Sequence, residues 1–124
     1  MSKWLAIAIA GGLGSLARYG LAGLVQRWIG PAFPWGTFAV NAIGCLAFGF
    51  VVGMIEDRVA LAAQLRPFLL IGFLGAFTTF STFAYESTEL LLDRQWWFLA
   101  GNVAGQAVVG VAAVVVGLTA GRAV

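Results

Sequence analysis

Histidine is absent from this chain, and cysteine occurs once, at Cys45. Without imidazoles or thiolates, a zinc or other transition-metal centre has almost no ligands to draw on. A lone cysteine also excludes an intrachain disulfide. Charge is scarce: seven basic and five acidic residues make up 10% of 124 positions, against about 25% in soluble globular domains. The basic residues form no run, so the small positive excess gives no footprint for nucleic acid. No nucleophile is paired with a base, which argues against an enzyme. No internal repeat is evident.

What fills the chain instead is apolar, with 61% hydrophobic residues and a mean hydropathy of +0.96. Such a composition specifies a membrane protein surrounded by the lipid bilayer. Hydrocarbon about 30 Å thick takes about 20 apolar residues per helix. The chain therefore holds four spans, expected at about 4–25, 36–55, 68–92 and 96–118, in one all-α domain over 1–124. Four thin helices leave little room to shelter a pathway, so an oligomer is expected.

Lys3 and the short apolar run to Ala8-Ile9-Ala10 also fit a signal peptide, but the hydrophobic pattern continues well beyond Ala10. Gly11, Gly12 and Gly14 thin the first span for close helix approach. Arg18 has two readings: it snorkels to the headgroups, or it faces a water-filled vestibule that draws anions in. Residues 26–34 form a tight connection, with Trp28 and Trp35 as interfacial anchors. The second span carries Asn41, which either bonds a neighbouring helix or donates to an anion. Residues 56–67 read as a solvated loop, with Pro67 in the first turn of the next helix. On the fourth span, Asn102 and Gln106 lie four apart on one face. Lys3, Arg58, Arg66 and Arg122 share the side of the termini, against Arg27 and Arg94 opposite. This predicts termini inside, by a bias small enough to admit insertion in both orientations.

The third span is the unusual one. Residues 72–89 combine glycines, hydroxyls, phenyl rings and two carboxylates, a mixture that lipid penalises unless it serves a site. Gly72, Gly75, Thr78 and Thr79 allow a break near Gly75 to Thr78 that frees carbonyl oxygens, although the residues alone favour an unbroken helix whose glycines merely pack closely. Thr79, Thr82 and Glu86 fall on one helical face. Phe80 and Phe83, three apart, either face lipid or turn their positive edges to a small anion. Neutral rings and hydroxyls suit an ion that must shed water and still be released. Glu86 and Glu89 repel anions and sit toward the end of the span.

The run at 72–83 (Gly-Phe-Leu-Gly-Ala-Phe-Thr-Thr-Phe-Ser-Thr-Phe) resembles the signature of the CrcB/Fluc fluoride channel family. So do Gly11 to Tyr19 in the first span and Gly36 to Gly44 in the second. The resemblance implies passive fluoride export across the plasma membrane, and so resistance to fluoride. It also implies an antiparallel, dual-topology homodimer with two pores at the interface. On that likeness Phe80, Phe83 and Asn41 line the path, and Thr79, Ser81, Thr82 and Glu86 form its polar surroundings. Arg18 matches a vestibule arginine, and the carbonyls of Gly75 and Thr78 match the ligands of a structural sodium ion. Members commonly carry a Ser/Thr track on the fourth helix, where this chain has Asn102, Gln106, Gly110 and Val114. Asn102 and Gln106 can donate as hydroxyls do and Val114 cannot, which leaves room for a paralogous partner subunit. The competing reading is a four-span, proton-coupled small multidrug transporter. It requires a carboxylate in the first span, and residues 4–25 contain none.

Overall fold

The computed structural model describes residues 1–124 and is entirely helical. Its elements are α1 (Lys3–Ile29), α2 (Trp35–Ile55), α3 (Val59–Leu65), a π-helical stretch (Arg66–Leu74), α4 (Gly75–Phe77), α5 (Phe80–Leu92) and α6 (Trp96–Arg122). Four helical segments are long and apolar enough to cross a membrane, the third running from Val59 to Leu92. Lys3–Ile29 and Trp96–Arg122 each extend four residues past the expected ends of their spans.

Ser2 starts α1 by accepting the Leu5 N–H at 3.3 Å, one of the donors that a helix start leaves free. At the other end Gly30 takes φ 113°, a left-handed conformation that favours glycine. Gln26 then organises the turn into α2. Its amide donates to the carbonyls of Gly30 (2.6 Å) and Phe33 (2.9 Å) and accepts from the Gly36 N–H (3.0 Å). Phe33, Trp35, Phe38 and Phe98 cluster beside this turn, and Phe33 meets Phe98 edge-on with ring centroids 5.9 Å apart.

The expected loop over 56–67 is shorter than its polarity suggested. Only Glu56–Arg58 connect the helices, because the Ala/Leu-rich run Val59–Leu65 is helical. Pro67 therefore lies inside a continuing helix. Proline lacks the N–H that an α-helix needs and crowds the preceding turn, and from Arg66 the chain widens to the π-helical register. That register ends at Gly75, whose N–H reaches Leu70 O, five residues back.

Helix α2 packs along the length of α6, and α1 packs on the π-helical stretch. Glycines make both approaches possible. A Cβ on Gly49 or Gly53 would overlap the carbonyl oxygens of Val114 or Leu118, and one on Gly117 or Gly121 would overlap those of Leu46 or Phe50. Likewise Gly14 lies on the Phe73 carbonyl. Helix α5 leaves this bundle and touches only α6 and α2, lightly. Just 20 of 124 residues are buried, so most of the apolar surface needs lipid or another protein to cover it.

One ion pair ties the ends of α2 and α6 together, with Arg122 Nε and Nη2 at 2.6 and 2.9 Å from the Glu56 oxygens. The Arg122 hydrogen bond holds the Glu56 carboxyl below its ordinary range. The pair is largely exposed, and such pairs contribute little and are screened by salt. A depressed carboxyl pKa gives stability that is present above the unfolded-state value and lost as pH falls through the folded one. Glu56→Gln should therefore lower the melting temperature slightly at neutral pH. The difference should vanish in acid or high salt; a difference that persists in both would locate the effect elsewhere.

Candidate functional site

The third span breaks at Thr78 and Thr79, both in extended conformation (φ −84°, ψ 159° and φ −149°, ψ 121°). This is the far end of the range expected from sequence. Three polar side chains make the break possible inside a membrane, where every main-chain group needs a partner. Thr78 Oγ1 folds back on the Leu74 carbonyl at 3.0 Å. Thr79 caps α5, its Oγ1 accepting the Thr82 N–H at 3.2 Å. Asn41, 38 residues earlier in sequence, completes the repair from α2: its Oδ1 accepts the Thr79 N–H at 2.8 Å and its Nδ2 donates to the Thr79 carbonyl at 2.9 Å. The Asn41 amide thus pairs with Thr79 as a neighbouring strand would.

A hydrogen-bonded seam continues from that point. Asn41 Nδ2 donates to Gln106 Oε1 (2.8 Å), Gln106 Nε2 to Asn102 Oδ1 (2.9 Å), and Asn102 Nδ2 to Ser87 Oγ (3.0 Å). Thr79 Oγ1 also donates to Thr82 Oγ1 at 3.0 Å and lies 3.4 Å from Ser81 Oγ. The structure therefore joins Asn41, Thr79, Ser81, Thr82, Asn102 and Gln106 in one network, and adds Ser87. Ser87 was not singled out from sequence; its place four residues after Phe83, on the same side of α5, is the signal that could have found it. Asn102 is fully buried.

Beside the seam lies a recess of about 580 Å³, bordered by Asn41, Thr78, Thr79, Phe80, Phe83 and Gln106, with Cys45 and Val114 on its apolar side. The rings of Phe80 and Phe83 are 5.5 Å apart at a 46° tilt. Phe80 is 79% exposed although it sits mid-span. Sequence reasoning missed Cys45, which follows Gly44 on α2 and carries no polar pattern.

Glu86 is placed apart from the rings. Its Oε1 accepts from Thr37 Oγ1 at 2.8 Å, while Oε2 is buried without a partner. It opens with Glu89 and Asp93 on a second recess of about 400 Å³, under the Gln26 turn. Arg18 is half-buried near the middle of α1; it makes no ion pair and borders neither recess. The Gly75 carbonyl is freed by the break: the donor an unbroken helix would offer it, the Thr79 N–H, goes to Asn41.

The chain as a whole is similar to known proteins. A family model described as "CrcB-like protein, Camphor Resistance (CrcB)" matches residues 5–118. Among similar proteins, one from Nitratidesulfovibrio vulgaris strain Miyazaki F is 55% identical over the whole of both chains. Another from Maridesulfovibrio salexigens is 50% identical over 98% of this chain and 97% of its own. A third, from Nitrosococcus oceani, is 46% identical over 94% and 91%. Each of the three is named "Fluoride-specific ion channel FluC". The chain belongs to the CrcB-like family, whose relatives named here are ion channels and not enzymes.

Proposed function

We propose that this chain forms a fluoride-selective channel through which fluoride leaves the cell passively, giving resistance to fluoride. The observation that carries the reading is Phe80, exposed in mid-span and tilted against Phe83 beside a seam of amides and hydroxyls. Fluoride is small and strongly hydrated, so its path must replace water without holding the ion too tightly. Phenyl edges carry partial positive charge, and neutral N–H and O–H groups donate without the deep well of a fixed cation.

A ring exposed beside half a recess needs a second wall. We assign that wall to a second copy of the chain, inserted in the opposite orientation in the plasma membrane. Two such copies form an antiparallel homodimer with a pathway on each side. Phe80, Phe83, Asn41, Gln106 and the Thr79–Ser81–Thr82 hydroxyls line the pathway, Asn102 and Glu86 stand behind it, and Arg18 faces its vestibule. A structural sodium ion fits the break. The carbonyls of Gly75 and Thr78 are neutral oxygen donors of the kind hard cations take, and Gly75 O has lost its helical partner. Exchanging sodium for a bulky organic cation should weaken dimer assembly or conduction, and indifference of both to the exchange would remove the ion from the account.

Cells stripped of their own fluoride exit route provide the test. Expressing this chain should restore growth in fluoride and lower the fluoride retained inside. Unchanged retention, with the protein present in the membrane, would contradict the proposal.

A further inference from the structure

The two amides at the recess differ in what they have left to give. The Thr79 main-chain N–H can only donate, and Asn41 Oδ1 accepts it. That fixes the Asn41 amide, turning Nδ2 to the Thr79 carbonyl and to Gln106. Gln106 must then present Oε1 to Asn41 and Nε2 to Asn102, which in turn presents Nδ2 to Ser87. A single N–H at the helix break sets the direction of three amides in series.

A primary amide has two N–H donors. Both of those on Asn41 are occupied within the protein. Asn102 keeps one free but is completely buried and does not border the recess. Gln106 uses one Nε2 hydrogen on Asn102 and lies at the recess with Phe80 and Phe83. We propose that Gln106, and not Asn41, supplies the amide hydrogen bond to the permeating anion, while Asn41 closes the helix break. The inference rests on the channel reading above. It explains how a chain without a hydroxyl at this turn of α6 presents a donor to an anion. The seam also holds this amide in one orientation. A flipped Gln106 amide would set Nε2 against Asn41 Nδ2 and Oε1 against Asn102 Oδ1, whereas in place its oxygen is occupied by Asn41.

The test compares Gln106→Met, Gln106→Ser and Asn41→Leu in purified, reconstituted protein. It reads initial fluoride efflux per dimer over a series of fluoride concentrations, together with elution position and melting temperature. Gln106→Met, similar in length but without a donor, should assemble yet conduct at least tenfold more slowly, with half-saturation at higher fluoride. Gln106→Ser restores a donor without the bond to Asn41, and should conduct faster than Gln106→Met. Asn41→Leu should lose assembled protein. Parental flux in Gln106→Met, or its failure to assemble, would overturn the proposal, the latter by making Gln106 a brace. Ser performing no better than Met would do the same, as would an Asn41→Leu dimer of normal stability. Absence of fluoride flux in the parent chain would instead count against the channel reading itself.

Discussion

Phe80→Ile and Phe83→Ile should each slow fluoride efflux by about tenfold or more while the protein still assembles. A tenfold loss corresponds to about 1.4 kcal/mol added to the barrier. Isoleucine keeps an apolar side chain of useful bulk, so the change removes the ring and little else. What disappears is the electrostatic edge, the one feature of a phenyl group that attracts an anion. Phe80 has little packing to lose, being 79% exposed in the single chain. Its partner Phe83 lies 5.5 Å away, centroid to centroid, and the two substitutions should act in the same direction. Efflux per dimer and elution position are the measurements. Undiminished flux in both variants, with the dimer intact, would remove the rings from the mechanism.

The second large effect concerns the fold. Gly117→Val should abolish recoverable, assembled protein. Any Cβ at Gly117 would overlap the Leu46 carbonyl oxygen and crowd the Phe50 nitrogen. Both are main-chain atoms in the middle of α2, which cannot rotate away as a side chain can. Overpacking a well-fitted site costs about 1–3 kcal/mol even where side chains can yield, and total stability is only about 5–15 kcal/mol. Gly49, Gly53 and Gly121 meet main-chain atoms across the same seam, so the helices have no nearby groove to slide into. Gly12, with nothing within 4 Å of its Cβ position, is the control, and Gly12→Ala should assemble normally. A monodisperse, stable Gly117→Val protein would mean that α2 and α6 do not pack as described.

The four spans were legible because lipid imposes a simple demand: about 20 apolar residues and no unpaired main chain. The break was half legible. Gly75 and the paired threonines marked a weak point, but the residue that fixes its position is Asn41, held by folding and not by local sequence. For the same reason the sequence left two readings of Asn41, and the structure uses its whole amide inside the protein. Residues 59–65 were read as loop because charges of both signs surround them between two spans, although the run itself is a good helix former. Pro67 marked a disturbance in the third span, but the wider register from Arg66 to Leu74 and the role of Gln26 in its turn depend on main-chain partners that local sequence does not announce. Glu86 shared a helical face with Thr79 and Thr82, yet packing against Thr37 draws it to a different recess.

Ion efflux from liposomes containing only this chain tests the central claim most directly. With potassium made permeant to carry the balancing charge, fluoride should leave rapidly while chloride is retained. Retained fluoride, equal loss of both ions, or flux that requires a second, different chain would contradict the account of a fluoride-selective homodimer.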